Sequence, residues 1–319
     1  MADVFPEMKI KQGNSMKFLK LKTVFTMVLS GMCLAAVFGS TISIAQPIPL
    51  PPAPVPDVVV MPRPTEAQLE ATEAALDVFL NGLSGGLSDV IDDYPYLLQV
   101  TPRPAVNSAL VPNLNPRFVA KHEANKASVA QSDVDVLFMG DSITDFWRNE
   151  EGRFAGKPIQ DEFFGDLNIA NFGISGDTTQ GVLFRLDNGE GEGYSPEAIM
   201  LMIGTNNVRT HIAGEIAEGV GAIVLSLQNH FPEAKILLLG IFPRSTPDSP
   251  LRPQIAEINS IISRLHDGEQ VFYKDIGAVF LSPDGSISED IMSDGLHPGT
   301  QGYRLWAEAV NDDLRALLR

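Results

Sequence analysis

The chain has 319 residues, 44% of them hydrophobic, and a mean hydropathy near zero, which is enough for one large domain with appendages. Its formal net charge of −17 repels nucleic acid and anionic membrane and argues against a phosphate-backbone partner. Cys33 is the only cysteine, so no disulfide framework can form within one chain.

The N-terminus reads as a targeting segment. A basic stretch, "MKIKQGNSMKFLKLK", precedes an apolar run, "TVFTMVLSGMCLAAVFGSTISIA", that ends in small residues at Ser43 and Ala45. This is the pattern of a secretory signal over residues 1–45, cut near Ala45, with Met16 as an alternative start. A membrane anchor that is never cut is the rival reading, because the run is just long enough to span. A lipid anchor on Cys33 is disfavoured by Met32, where a small residue would be expected. Removing 1–45 takes away Asp3, Glu7 and five lysines and leaves a net charge of −20.

Residues 46–64 form a proline-rich, extended linker. In 65–93, Leu69, Leu76, Leu80 and Leu83 recur near one face of a helix that Thr65 can cap. Residues 65–115 as a whole read as a helical and irregular extension, packed on the main domain or lying in a dimer contact.

From residue 116 to 319 the pattern changes. Five short apolar runs appear, at 134–140, 167–173, 198–204, 235–241 and 271–277. Helical patterns separate them, and "TQGYRLWAEAVNDDLRALL" closes the chain. Near-continuous apolar strands alternating with helices predict a parallel sheet covered on both faces, hence an α/β fold. In such a sheet the polar groups beyond the strands' carboxyl ends converge.

Those ends carry chemistry-bearing residues. The first run leads into Gly140-Asp141-Ser142. Ser142 can be a helix-start residue, with Asp141 or Ser142 capping and Asp145 three beyond, or a nucleophile on a strand-to-helix turn. A serine nucleophile needs a base, and five histidines are available. His122, His230 and His266 read as solvated helix residues, and His211 as a pocket-rim residue with no acid at useful spacing. His297 differs, because Asp294 precedes it by three and can orient its imidazole. Acyl transfer also needs oxyanion donors. Gly176 offers a backbone N–H and Asn206 a side-chain amide. Each alone is an ordinary turn residue; serine, glycine, asparagine and histidine in this order at successive strand ends are harder to explain structurally.

The blocks "GDSIT", "NFGISGD", "GTNN" and "DGLH" resemble those of the SGNH (GDSL-type) esterases. The stretches "NFGISGDTTQGVLFRLDNGE" and "LHPGTQGYRLWAEAV" are most similar to the platelet-activating-factor acetylhydrolase catalytic-subunit type. The resemblance covers about 115–319. It implies a flavodoxin-like three-layer α/β/α sandwich with a five-stranded parallel sheet. It implies Ser142 as nucleophile and first oxyanion donor, Gly176 and Asn206 as the other donors, His297 as base and Asp294 as its orienting acid. Ile143, Thr205 and Leu296 would border a small acyl group. Neither a cofactor nor a metal is implied, and homodimers occur in the type. Ser175 departs from the two adjacent glycines of many relatives.

The expected activity is that of a secreted or periplasmic serine esterase cutting short-chain, acetyl-type esters of a small molecule or glycan. A polysaccharide O-acetyl esterase and an acyltransferase are the alternatives, and a non-catalytic glycan-binding protein is the rival outside enzymology. The segment 243–253 can shape the entrance. An aromatic platform for sugar is not evident, with only Trp147 and Trp306 available.

Overall fold

The computed structural model describes residues 50–62, 106–130 and 133–318, with scattered positions of 65–78, all within a unit spanning Ile48–Arg319. The expected signal segment and Leu69, Leu76, Leu80 and Leu83 lie outside the described residues. Thr65 does cap a helical turn: its Oγ1 accepts the Gln68 N–H, and Gln68 Oε1 accepts the Thr65 N–H.

Five strands form one parallel sheet: β1 (Val136–Gly140), β2 (Ile169–Asn171), β3 (Ala198–Met202), β4 (Lys235–Leu239) and β5 (Val271–Lys274). Their order is β2-β1-β3-β4-β5, with Val136 level with both Ile169 and Ala198. The expected parallel sheet is therefore present, each strand shorter than its apolar run. In β3, β4 and β5 the trimmed residues are those at the carboxyl end, on the side where the site is built; β1 is trimmed at its amino end and β2 at both.

The period-two alternation of each strand divides the core. Leu137, Met139, Ile199, Leu201, Ile236 and Leu238 face one layer, formed by α4 (Thr179–Arg185), α5 (Ala213–His230) and α6 (Leu251–Ile262). Phe138, Met200, Met202, Leu237 and Leu239 face the other, formed by α3 (Lys157–Phe164) and α8 (Thr300–Leu317). Of two shorter helices, α2 (Ser142–Asp145) begins with a residue of the site and α7 (Glu289–Met292) precedes others, and α1 (Val119–Val129) leads into β1. The result is the three-layer α/β/α sandwich. Trp147 and Trp306 are wholly buried in the second layer, which removes both as sugar platforms.

Residues 50–61, expected as a spacer, are seated along α5. Val59 is buried, the Ala53 N–H donates to the Leu110 carbonyl, and the Met61 N–H donates to Glu218. The segment 107–115 is likewise held on the domain. Asn107 Nδ2 donates to Glu218 and to the Glu215 carbonyl, and the Asn113 N–H donates to the Gln180 carbonyl.

Candidate active site

Ser142 opens α2 directly beyond β1. The helix is capped by Asp141, whose Oδ1 accepts the Ile143 N–H at 3.0 Å. Asp145 does not complete a capping box as the spacing allowed. It turns outward to Arg148 at 2.7 Å and accepts from both the N–H and the Oγ of Ser175.

His297 reaches Ser142 from the loop between α7 and α8. Its Nε2 lies 2.8 Å from Ser142 Oγ, and its Nδ1 lies 2.7 Å from Asp294 Oδ2. An ionised carboxylate only accepts, so Nδ1 carries the proton and Nε2 is left to accept from the serine hydroxyl. Asp294 Oδ1 also accepts the N–H groups of Leu296 and His297. Partial burial pushes the Asp294 carboxyl up. Its bonds to the His297 imidazole and to those two N–H groups outweigh burial and hold it below the usual aspartate range. Asp294 is thus ionised at any pH where an esterase would be assayed.

Gly176 sits in a turn closed by the Asp177 N–H donating to the Ile174 carbonyl. Its φ of +86° is the left-handed conformation such a turn requires at its third residue. The turn approaches α2 closely: a Cβ on Gly173 would lie 2.2 Å from the Asp145 amide nitrogen. Asn206, just past β3, donates one amide hydrogen to the Asp177 carbonyl at 2.7 Å. Its second amide hydrogen is available to a substrate oxygen.

The expected substrate-bordering residues differ in exposure. Ile143 and Thr205 are buried, and Leu296 is half-buried. The Ile143 carbonyl accepts the Tyr303 hydroxyl at 2.7 Å, and Thr205 accepts from Arg244 Nη1 through its carbonyl and its Oγ1. The 243–253 segment contributes directly: the Ser245 N–H donates to the Gly295 carbonyl, tying this segment to the His297 loop.

The site holds features with no sequence signal. Phe146 and Phe154 stack with ring centroids 5.6 Å apart, and both lie close to the His297 ring, at 5.1 and 5.3 Å. Neither belongs to a motif block. His122, read as solvated, is buried and lies 2.9 Å from Glu190. His211 is 2.9 Å from the Ser108 hydroxyl rather than near Ser142. Asp141 is fully buried, and its Oδ2 has no partner among the described residues. Burial pushes its carboxyl up to about 7, with the Asp177 charge adding to the rise and the Ile143 N–H opposing it.

A parallel α/β/α sandwich with a serine, an imidazole and a carboxylate in line at its strand ends defines a class. The chain belongs to the GDSL-like lipase/acylhydrolase family, whose model matches residues 138–305. It is a carboxylic ester hydrolase of that family. Among curated proteins it is 36% identical over 203 residues to platelet-activating factor acetylhydrolase IB subunit alpha2 of Homo sapiens, a match covering 63% of this chain and 85% of the relative. The alpha1 subunit of Rattus norvegicus is 33% identical over 203 residues, covering 63% and 84%. Among solved structures, a putative platelet activating factor from Streptococcus pneumonia superposes with a TM-score of 0.51 at 23% identity, covering 62% of this chain and 94% of that one. A putative acylhydrolase from Bacteroides fragilis gives 0.50 at 17% identity, covering 65% and 100%.

Proposed function

We propose that the protein is an exported serine esterase that releases short acyl groups through an acyl-enzyme. The Ser142–His297–Asp294 alignment carries this reading. His297 Nε2 takes the Ser142 proton as Oγ attacks the ester carbonyl. The resulting oxyanion is met by the N–H groups of Ser142 and Gly176 and by the free amide hydrogen of Asn206. His297 then gives its proton to the leaving alcohol, and water repeats the sequence to free the acid. Asp294 holds the imidazole in the tautomer that both steps need.

A short acyl group is supported by the closed side of the site, where Ile143 and Thr205 are buried and Thr205 is held by Arg244. The alcohol side is different. His297 protonates the leaving oxygen, so the alcohol departs beside His297 and the half-buried Phe146–Phe154 pair. Such ring faces suit an alcohol with an apolar face, either a sugar ring or a lipid chain. The pair makes an acetylated glycan a second reading, since it can stand in for the missing tryptophan platform. Export rests on the signal pattern of residues 1–45, and a homodimer on resemblance.

The test is labelling with a fluorophosphonate followed by peptide mapping, then rates on nitrophenyl esters from acetate to octanoate and on acetylated xylan. Labelling at Ser142 with rates falling as the acyl chain lengthens is expected. Labelling elsewhere, or a preference for octanoate, contradicts the reading.

A further inference from the structure

Behind the oxyanion turn lies a chain of buried ionisable groups that takes no part in the proton transfers above. Arg185, at the end of α4, has no exposed side-chain surface. Its Nε donates to Asp177 Oδ2 at 2.9 Å, and its Nη1 pairs with Glu190 Oε2. Glu190 Oε1 is met in turn by His122 Nδ1 at 2.9 Å and by Asn125 Nδ2 at 3.2 Å, both from α1. The chain therefore runs from α1, through the segment after α4, to the residue that follows Gly176.

Asp177 is where this chain meets the site. Its carboxylate is engaged by Arg185 and, through Oδ1, by the Thr178 N–H. Its own N–H closes the turn around Gly176, and its carbonyl accepts the Asn206 amide. One residue thus links two of the three oxyanion donors. A shift of its main chain would move the Gly176 N–H and release Asn206 together. The far side of the turn is tied less deeply, by exposed Ser175 bonded to Asp145.

Stability alone does not account for such a chain. Burying paired charges roughly balances desolvation against attraction, and apolar replacements of equal volume are often as stable or more so. A fixed geometry is what charged, directional bonds supply and apolar packing does not. A well-placed oxyanion donor must already point to where charge develops.

We propose that Arg185, held between Asp177 and Glu190 with His122 behind them, is a positioning residue for the oxyanion donors Gly176 and Asn206. This rests on the serine-esterase reading. It touches no substrate, so its loss acts on transition-state stabilisation and leaves ground-state binding and the Ser142–His297 pair in place.

The experiment compares wild type, Arg185→Lys and Glu190→Gln, with rates normalised to sites titrated to completion by a fluorophosphonate, so that only folded enzyme is counted. Three quantities are read: kcat and KM on p-nitrophenyl acetate, the Ki of a trifluoromethyl ketone that forms a tetrahedral oxyanion on Ser142, and the pH profile of kcat/KM. A full donor typically contributes about 10²–10³ in kcat, so a displaced one is expected to cost about 10–100-fold, with KM moved less than about twofold. The ketone Ki should rise by the same factor, and the pH profile should keep its shape. A kcat within about twofold of wild type in both variants, or a kcat loss without the matching Ki change, overturns the proposal. Failure of the esterase reading itself shows differently, as a wild type whose hydrolysis survives Ser142→Ala.

Discussion

Asp141 is the residue whose environment is least like that of an ordinary aspartate. Its folded carboxyl titrates near 7, against 3.8 for an ordinary aspartate. Between those values the native chain keeps a proton that the unfolded chain has lost, so its contribution to stability is full below about 3.8 and is lost as pH rises through 7. The whole slope is worth about 4 kcal/mol at most. Asp141→Asn keeps an oxygen for the Ile143 N–H and cannot titrate. Urea melts from pH 4.5 to 8 should show the variant gaining on wild type as pH rises. A difference that does not change with pH contradicts a buried, proton-retaining Asp141. Ser142, Gly176 and Asn206 were legible at this scale because each sits in a short block just past a strand, and Asp294 and His297 because they share one short block in the loop between α7 and α8. Arg185, Glu190 and His122 were not. A charged residue in a helical pattern reads as solvated, and only the tertiary pairing of Arg185 with Asp177 and Glu190 reveals the burial. Phe154 was missed for a related reason, since its partners Phe146 and His297 come from separate segments. Phe154→Ala should raise KM for aryl and glycan acetates several-fold more than for methyl acetate. An equal loss on all three esters would show that the ring only braces His297.

Elements were read more easily than contacts. The five apolar runs gave five strands, and α5, α6 and α8 fall among the helical patterns that separate and follow them. The strand ends were overestimated because apolar residues such as Ile203 and Ile241 stay buried after the ladder has stopped. The junction between α2 and the Gly176 turn depends on Gly173, which sits against the Asp145 backbone. Backbone cannot move aside as a flexible side chain can. Gly173→Ala should therefore destabilise the protein by about 1–3 kcal/mol, read in a denaturant melt, and reduce activity beyond the loss of folded protein. Unchanged melting and activity would mean that this approach is looser than described.

At the scale of the whole molecule, the family resemblance begins near residue 115, yet the described fold extends back to residue 50. Glycines on α5 leave room for the early segment: a Cβ on Gly214 would meet Met61, and one on Gly221 would meet Val59. Composition made the 46–64 stretch look like a spacer because proline hides packing that only the partner helix reveals. A chain beginning at Pro62 should be less stable than one beginning at Gln46 by about 2 kcal/mol or more, from the lost Val59 burial and two backbone hydrogen bonds. Equal melting temperatures would show that the segment is not part of the fold. All of these parts serve one arrangement, in which β1 delivers Ser142 to His297 and the loops after β2 and β3 bring Gly176 and Asn206, the proposed oxyanion donors, together at Asp177. The most direct measurement is the p-nitrophenyl acetate turnover of purified Ser142→Ala against wild type at equal folded concentration. The account predicts a fall of about 10³-fold or more, and retention of the wild-type rate would contradict it.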